Sequence, residues 1–295
     1  MSRFTVAQIV LVMLLWASCF PALAVGIDLA PHLTFAALRA GLAGLTLAAI
    51  AIWLRQKIPR DVRLWGKLSI VGIGATSLGF LGMFHAAEFV SPGLATVVAN
   101  AQPLMAAGLG AFVLNEVLSL KAKTGLCVGF LGIFVISTPQ LSAGGQDDFL
   151  LGIAYILLAA AGISVSNVVI KTLSGEIDAL MGMGLQMLIG SIPLALLASL
   201  TEDPTQVKWS LEFLTILVFV SLPGTALAYW LWFSVLQKTQ LSRANAFSFL
   251  VPIFGLIMGW LLFSETLNSY QFAGILLTLL GVGLVLCGEK TEGSA

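Results

Sequence analysis

Charge is scarce in this sequence: 9% of its 295 residues are Asp, Glu, Lys or Arg, where a water-soluble domain carries about 25%. A soluble globule is thereby excluded. The 14 basic residues are balanced by 14 acidic ones, so no surplus of cations is available to follow a nucleic-acid backbone. The three cysteines, Cys19, Cys127 and Cys287, lie in apolar runs with no C-x-x-C spacing. That argues against a disulfide framework or a structural zinc site, and they read as small buried hydrophobes. Two histidines, His32 and His85, are too few for the usual metal or catalytic clusters. Neither G-x-x-x-x-G-K-[ST] nor H-E-x-x-H occurs, so an enzyme is not indicated and no cofactor or metal is expected.

What the sequence has instead is apolar length, with 59% hydrophobic residues and a mean hydropathy of +1.02. A helix crossing about 30 Å of hydrocarbon needs about 20 apolar residues. Ten such runs are present, at roughly 5–26, 33–54, 68–88, 93–114, 123–139, 149–170, 179–200, 213–236, 243–263 and 271–288. They are continuous rather than alternating in polarity, which favours helices over a β-barrel. Ala22-Leu23-Ala24 resembles a signal-peptide cleavage site, but the apolar stretch is longer than a usual signal core, so the first span is expected to be retained. The expectation is an all-α polytopic membrane protein of ten transmembrane helices, with the lipid bilayer as its first partner.

Orientation follows from the short loops. With the N-terminus inside, twelve of the 14 Lys and Arg residues fall on the cytoplasmic side: Arg3, Arg55, Lys57, Arg60, Arg63, Lys67, Lys121, Lys123, Lys171, Lys238, Arg243 and Lys290. Lys208 alone falls outside and Arg39 lies within a span. The positive-inside rule then predicts cytoplasmic termini.

Shifting the sequence by 149 residues superposes 68–137 on 217–286 without a gap and leaves thirteen identities. Composition alone supplies about half of these by chance, but the pairs Thr76/Thr225, Pro103/Pro252 and Glu116/Glu265 involve less common residues. Gly125/Gly274 and Gly132/Gly281 also match. Residues 1–140 and 141–295 are therefore predicted to be two repeats of five helices. An odd number of spans per repeat inverts the second relative to the first, a plan used by secondary transporters to build a midplane site.

The predicted site lies where the helices are interrupted. Pro103 and Pro252 fall about 15 Å into the fourth and ninth spans, and Pro223-Gly224 breaks the eighth opposite Gly74-Ala75 in the third. Irregular backbone at that depth requires protein or a water-filled cavity beside it, although a single kink also serves packing. Polar candidates for the lining are Ser18, Thr76, His85, Asn100, Gln102, Tyr155, Ser164, Asn167, Tyr229 and Asn245. Each has a structural alternative: a hydroxyl can bond its own helix, and an amide can clamp two helices. Phe80 and Tyr229 occupy equivalent positions, with Trp230, Trp232 and Trp16 nearby in sequence; they could line the cavity or face lipid. Arg39 is expected to snorkel outward or pair with Asp28 or Glu88. His85 and Glu88 form either a proton-responsive pair or an interfacial cap. Glu116 and Glu265 are expected to contact backbone amides or loop cations. Gly125-x-x-x-Gly129 and Gly255-x-x-x-Gly259 permit close helix contact but only weakly indicate dimerisation, leaving the oligomeric state open.

The segments Pro92-Gly-Leu-Ala-Thr through Gln102-Pro103 to Asn115-Glu116-Val-Leu, echoed by Ala244-Asn245 through Pro252 to Ser264-Glu265-Thr-Leu, resemble the EamA-type branch of the drug/metabolite transporter superfamily. Leu38-Arg39-Ala40 and Trp16-Ala17-Ser18 are similar to that family's pattern. Overall the chain resembles the YddG-type exporters of aromatic and other amphipathic amino acids. The resemblance implies a secondary transporter exporting such amino acids or small metabolites from the cytoplasm across a bacterial inner (plasma) membrane by alternating access. A broad-specificity drug exporter and a non-transporting membrane scaffold subunit remain alternatives. Phe249 stands opposite Asn100, so the two halves need not be chemically equivalent.

Overall fold

In lipid a helix satisfies its backbone internally, and side chains complete several helix ends here. Ser2, Asp61, Asp178 and Ser210 each accept from the amides of the first turn that follows, and Asn268 forms a reciprocal capping box with Gln271. The computed structural model describes residues 1–86, 89, 98–141, 149–263 and 267–288. Within them ten long helices succeed one another: α1 Arg3–Gly26, α2 His32–Trp53, α3 Val62–Ala86, α4 Gln102–Val113, α5 Leu120–Leu141, α6 Phe149–Thr172, α7 Ala179–Thr201, α8 Leu211–Lys238, α9 Leu241–Leu261 and α10 Ser269–Cys287. Nine are long and apolar enough to cross a membrane, and α4 is a shorter apolar helix. Residues 93–97 of the expected fourth span lie outside the described residues, as do Glu88 and Glu265.

The principal helix contacts recur when the halves are exchanged. α3 lies against α6 and α7, as α8 lies against α1 and α2; α4 packs on α6, as α9 packs on α1. The pairs α2/α7, α4/α9 and α5/α10, each of which maps onto itself, are also in contact. The multi-pass bundle thus has the five-plus-five inverted arrangement.

The matched glycines explain the α5/α10 contact. A Cβ on Gly125 would lie 2.7 Å from the Gly281 carbonyl oxygen, and one on Gly132 would lie 2.8 Å from that of Gly274. Each glycine meets the partner of the other pair, so the repeat identities serve one close backbone crossing. Gly125-x-x-x-Gly129 is therefore used within the chain, whereas a Cβ on Gly255 would meet nothing within 4 Å.

The cysteines differ from expectation: Cys19 is buried, but Cys127 and Cys287 are exposed. An apolar run places a residue at membrane depth without deciding whether it faces the bundle. The kinks are refined similarly. Pro103 occupies the first turn of α4, where its missing N–H is harmless, so it starts a helix instead of bending one. Pro252 follows a 3-10 turn at Phe247–Phe249 inside α9.

Candidate functional site

The breaks in α3 and α8 take the same form. Both are π-helical, at Gly72–Leu78 and Leu222–Leu227, and in the 149-residue register they end at the same position. A π segment inserts extra backbone into the α-helical ladder and re-aims the side chains around it, often at functional sites. Pro223 and Gly224 lie within the second.

Each π segment carries one of the matched threonines, and each threonine is held by a neighbouring helix. Thr76 Oγ1 donates to Gln186 Oε1 on α7 at 3.0 Å, and Ser77 Oγ donates to the Gly190 carbonyl at 2.7 Å. In the other half Arg39 Nε of α2 donates to Thr225 Oγ1 at 2.7 Å, and Thr225 donates to the Val220 carbonyl at 2.7 Å. The nearby Gln186 Nε2 and Ser221 Oγ are buried without a partner among the described residues.

Arg39 corrects its expected role. It does not snorkel: it is 7% exposed, its guanidinium stands 4.9 Å from the Phe80 ring centroid, and Nη2 faces Cys19 Sγ at 3.6 Å. It makes no ion pair with Asp28 or any other described carboxylate, and Glu88, the other expected partner, lies outside the described residues. A cation at such depth costs about 2.5–3.5 kcal/mol on insertion scales. The contact over Phe80 offsets part of that cost, at about 0.5–2 kcal/mol.

A second polar group ties α4, α6, α8 and α9 together. Asn245 Oδ1 accepts from Gln102 Nε2 at 2.9 Å and from Asn167 Nδ2 at 3.1 Å, while Asn245 Nδ2 donates to the Leu241 carbonyl at 2.9 Å. Asn167 Oδ1 accepts from Trp232 Nε1 at 2.9 Å. Ser164 Oγ reaches the carbonyls of Ala160, at 2.7 Å, and Gln102, at 3.2 Å. Gln102, Ser164, Asn167 and Asn245 are buried, so this knot is nearly fully paired, as buried polar networks must be. Trp16 connects it to the region of Arg39, lying 5.4 Å from Trp232 and 5.8 Å edge-on from Tyr229.

The other candidates are distributed around these groups. Asn100 is half-buried just before α4, and Trp230 is half-buried on α8. Ser18 bonds the Leu15 carbonyl of its own helix at 2.8 Å. His85 and Tyr155 stand apart from the knot, toward the face opposite the chain termini. His85 Nδ1 meets His32 Nε2 at 3.0 Å, and its ring lies 5.4 Å from that of Tyr155. His32 Nδ1 in turn lies 3.4 Å from Glu202. Glu202 accepts from the amides of Leu33 and Thr34 at 2.8 and 2.7 Å, capping α2 from the end of α7.

A comparable latch lies at the end of the bundle where α1 begins and α10 ends. Glu116 accepts from the Leu241 and Ser242 amides at 2.6 and 3.1 Å, meeting backbone amides as expected but across the two halves. Lys171 donates to the Leu236 carbonyl at 3.0 Å and to that of Thr239, holding the α8–α9 turn. Gln186 and Glu202 have no place among the sequence candidates, Trp232 enters there only as an aromatic near Tyr229, and nothing local in the sequence marks their partners.

The model of the EamA-like transporter family matches this chain twice, over residues 3–138 and 150–287. The chain belongs to that family. It is a membrane transporter and not an enzyme. Probable amino-acid metabolite efflux pumps of Salmonella typhimurium and Escherichia coli are 30% and 29% identical to it. The alignments cover 100% and 98% of this chain and 99% and 97% of those proteins. A chloroplastic WAT1-related protein of Arabidopsis thaliana is 29% identical over 85% of this chain, which spans 61% of that protein's length. A solved crystal structure at 18% identity superposes with a TM-score of 0.81, covering 99% of this chain and 100% of the other, and shares its fold.

Proposed function

We propose that this transporter exports aromatic and other amphipathic amino acids or related small metabolites from the cytoplasm by alternating access. The observation that carries this reading is the adjacency of three chemistries between the two halves: a buried cation, an aromatic group and a knot of amides. Aromatic surface with a few fixed polar groups suits a small amphipathic solute. The names of the Salmonella typhimurium and Escherichia coli relatives support an amino-acid substrate.

In this mechanism residues 1–140 and 141–295 rock about the π segments of α3 and α8. The knot of Gln102, Asn167, Asn245 and Trp232 lies toward the face that holds the termini, with the Glu116 and Lys171 latch beyond it. That face is cytoplasmic on the charge count, in a bacterial inner membrane, so both groups must open to admit cytoplasmic substrate. Thr76, Asn100, Gln102, Asn167, Tyr229 and Asn245 then contact its polar groups, and Phe80 and Trp230 its apolar part.

Growth in the presence of toxic compounds tests the substrate class. Cells expressing the chain should gain resistance to a fluorinated phenylalanine and none to a lipophilic cation. Resistance to the cation alone would replace this reading with a broad drug exporter.

A further inference from the structure

Arg39 carries a charge that its packing role does not require. The matched threonines Thr76 and Thr225 sit in matched π segments, and each receives one side chain from the helix that packs on it. For Thr76 that partner is Gln186, a neutral amide. For Thr225 it is Arg39. One half of the molecule therefore fixes its π segment without a cation, so the guanidinium in the other half needs a different explanation.

The donors of Arg39 supply one. A guanidinium presents five N–H groups in a planar fork that matches the two oxygens of a carboxylate. Thr225 occupies Nε, and Cys19 Sγ is a weak acceptor at long range from Nη2. Nη1 has no acceptor among the described residues, and the side chain keeps a small exposed area. Phe80 covers one side of the cation, and Tyr229 follows the bonded Thr225 by one turn of α8. Trp16 and Trp232 continue the aromatic group away from it.

From this asymmetry we propose that Arg39 is the anion-recognition point of the transport site and binds the substrate's carboxylate through the Nη1–Nη2 edge. The inference rests on the amino-acid reading above and deepens it: the site reads an acid attached to an apolar body. The carboxylate supplies the counter-charge that no described residue provides, in a low-dielectric setting where such a pair is strong and directional. Lysine at the same position keeps the charge but loses the fork.

The test is a binding titration on the full chain purified in detergent, following intrinsic tryptophan fluorescence, with L-phenylalanine, 3-phenylpropionate and phenylalaninamide as probes. The two acids should bind at least ten-fold more tightly than the amide. Arg39→Gln should remove that difference, and Arg39→Lys should restore part of it. The wild-type comparison needs no variant and so does not depend on how well Arg39→Gln folds. Equal binding of acids and amide, no binding of either acid, or an undiminished preference in folded Arg39→Gln would each overturn the inference. Protein that binds both acids in this way but moves no phenylalanine across liposomes would sink the proposed export function and leave the carboxylate site standing.

Discussion

Asn245 concentrates the polar chemistry of the knot in one side chain. Its Oδ1 takes two amide donors from different helices and its Nδ2 closes on its own. Asn245→Ala strands the donors of Gln102 and Asn167 in the interior, at about 1–3 kcal/mol for each group left unpaired. The thermal midpoint in detergent should fall by several degrees, and phenylalanine flux should fall with it. An unchanged midpoint would show that water replaces the lost partner. The residue scale is also where sequence reading reaches its limit. The four buried knot residues Gln102, Ser164, Asn167 and Asn245 are recognisable because polar groups at that depth are costly. Their pairing is not, because Gln102 and Asn245 meet across 143 positions of sequence. Trp232 is visible only as an aromatic near Tyr229, since nothing local tells an indole that donates to Asn167 from one that faces lipid. Arg39 does give a signal, as a cation inside a span, but its burial becomes visible only once α8 is placed beside α2.

Helices carry the next level of the account, and glycine decides how close they come. Between α5 and α10 the backbones approach until a Cβ on Gly281 would stand 2.3 Å from the Gly129 amide nitrogen. Gly132→Leu should therefore separate the two helices. Overpacking costs about 1–3 kcal/mol even where flexible side chains can yield, and backbone cannot yield in that way. Gly255→Leu, facing open space, is the control and should leave folding unchanged. The comparison is read as the yield of monodisperse protein from membranes, and equal yields would refute the close crossing. The π segments make a second prediction. Pro223→Ala returns an N–H to α8 and favours regular helix, so it should slow transport while leaving the thermal midpoint equal or higher. The ten helices are legible in the sequence because hydropathy and length alone mark a span. The π form of the breaks is less so: Pro223-Gly224 marks one segment, but Gly74-Ala75 marks its counterpart only through the repeat.

At the scale of the whole molecule, two inverted halves share their principal helix contacts, while their chemistry differs. One half holds its π segment with an amide and the other with a cation, and Phe249 takes the place of Asn100. Symmetric packing with asymmetric chemistry suits the alternating access proposed for one oriented substrate. In the proposed orientation the termini lie inside, so a C-terminal alkaline phosphatase fusion should be inactive and a fluorescent protein at the same position should fold and emit. The opposite pattern would invert the direction of every step proposed. The most direct measurement of the central claim is efflux of labelled phenylalanine from liposomes containing only this protein. Saturable efflux, weakened in Asn245→Ala, is the predicted result. Folded protein that moves no phenylalanine, tryptophan or threonine would contradict the account.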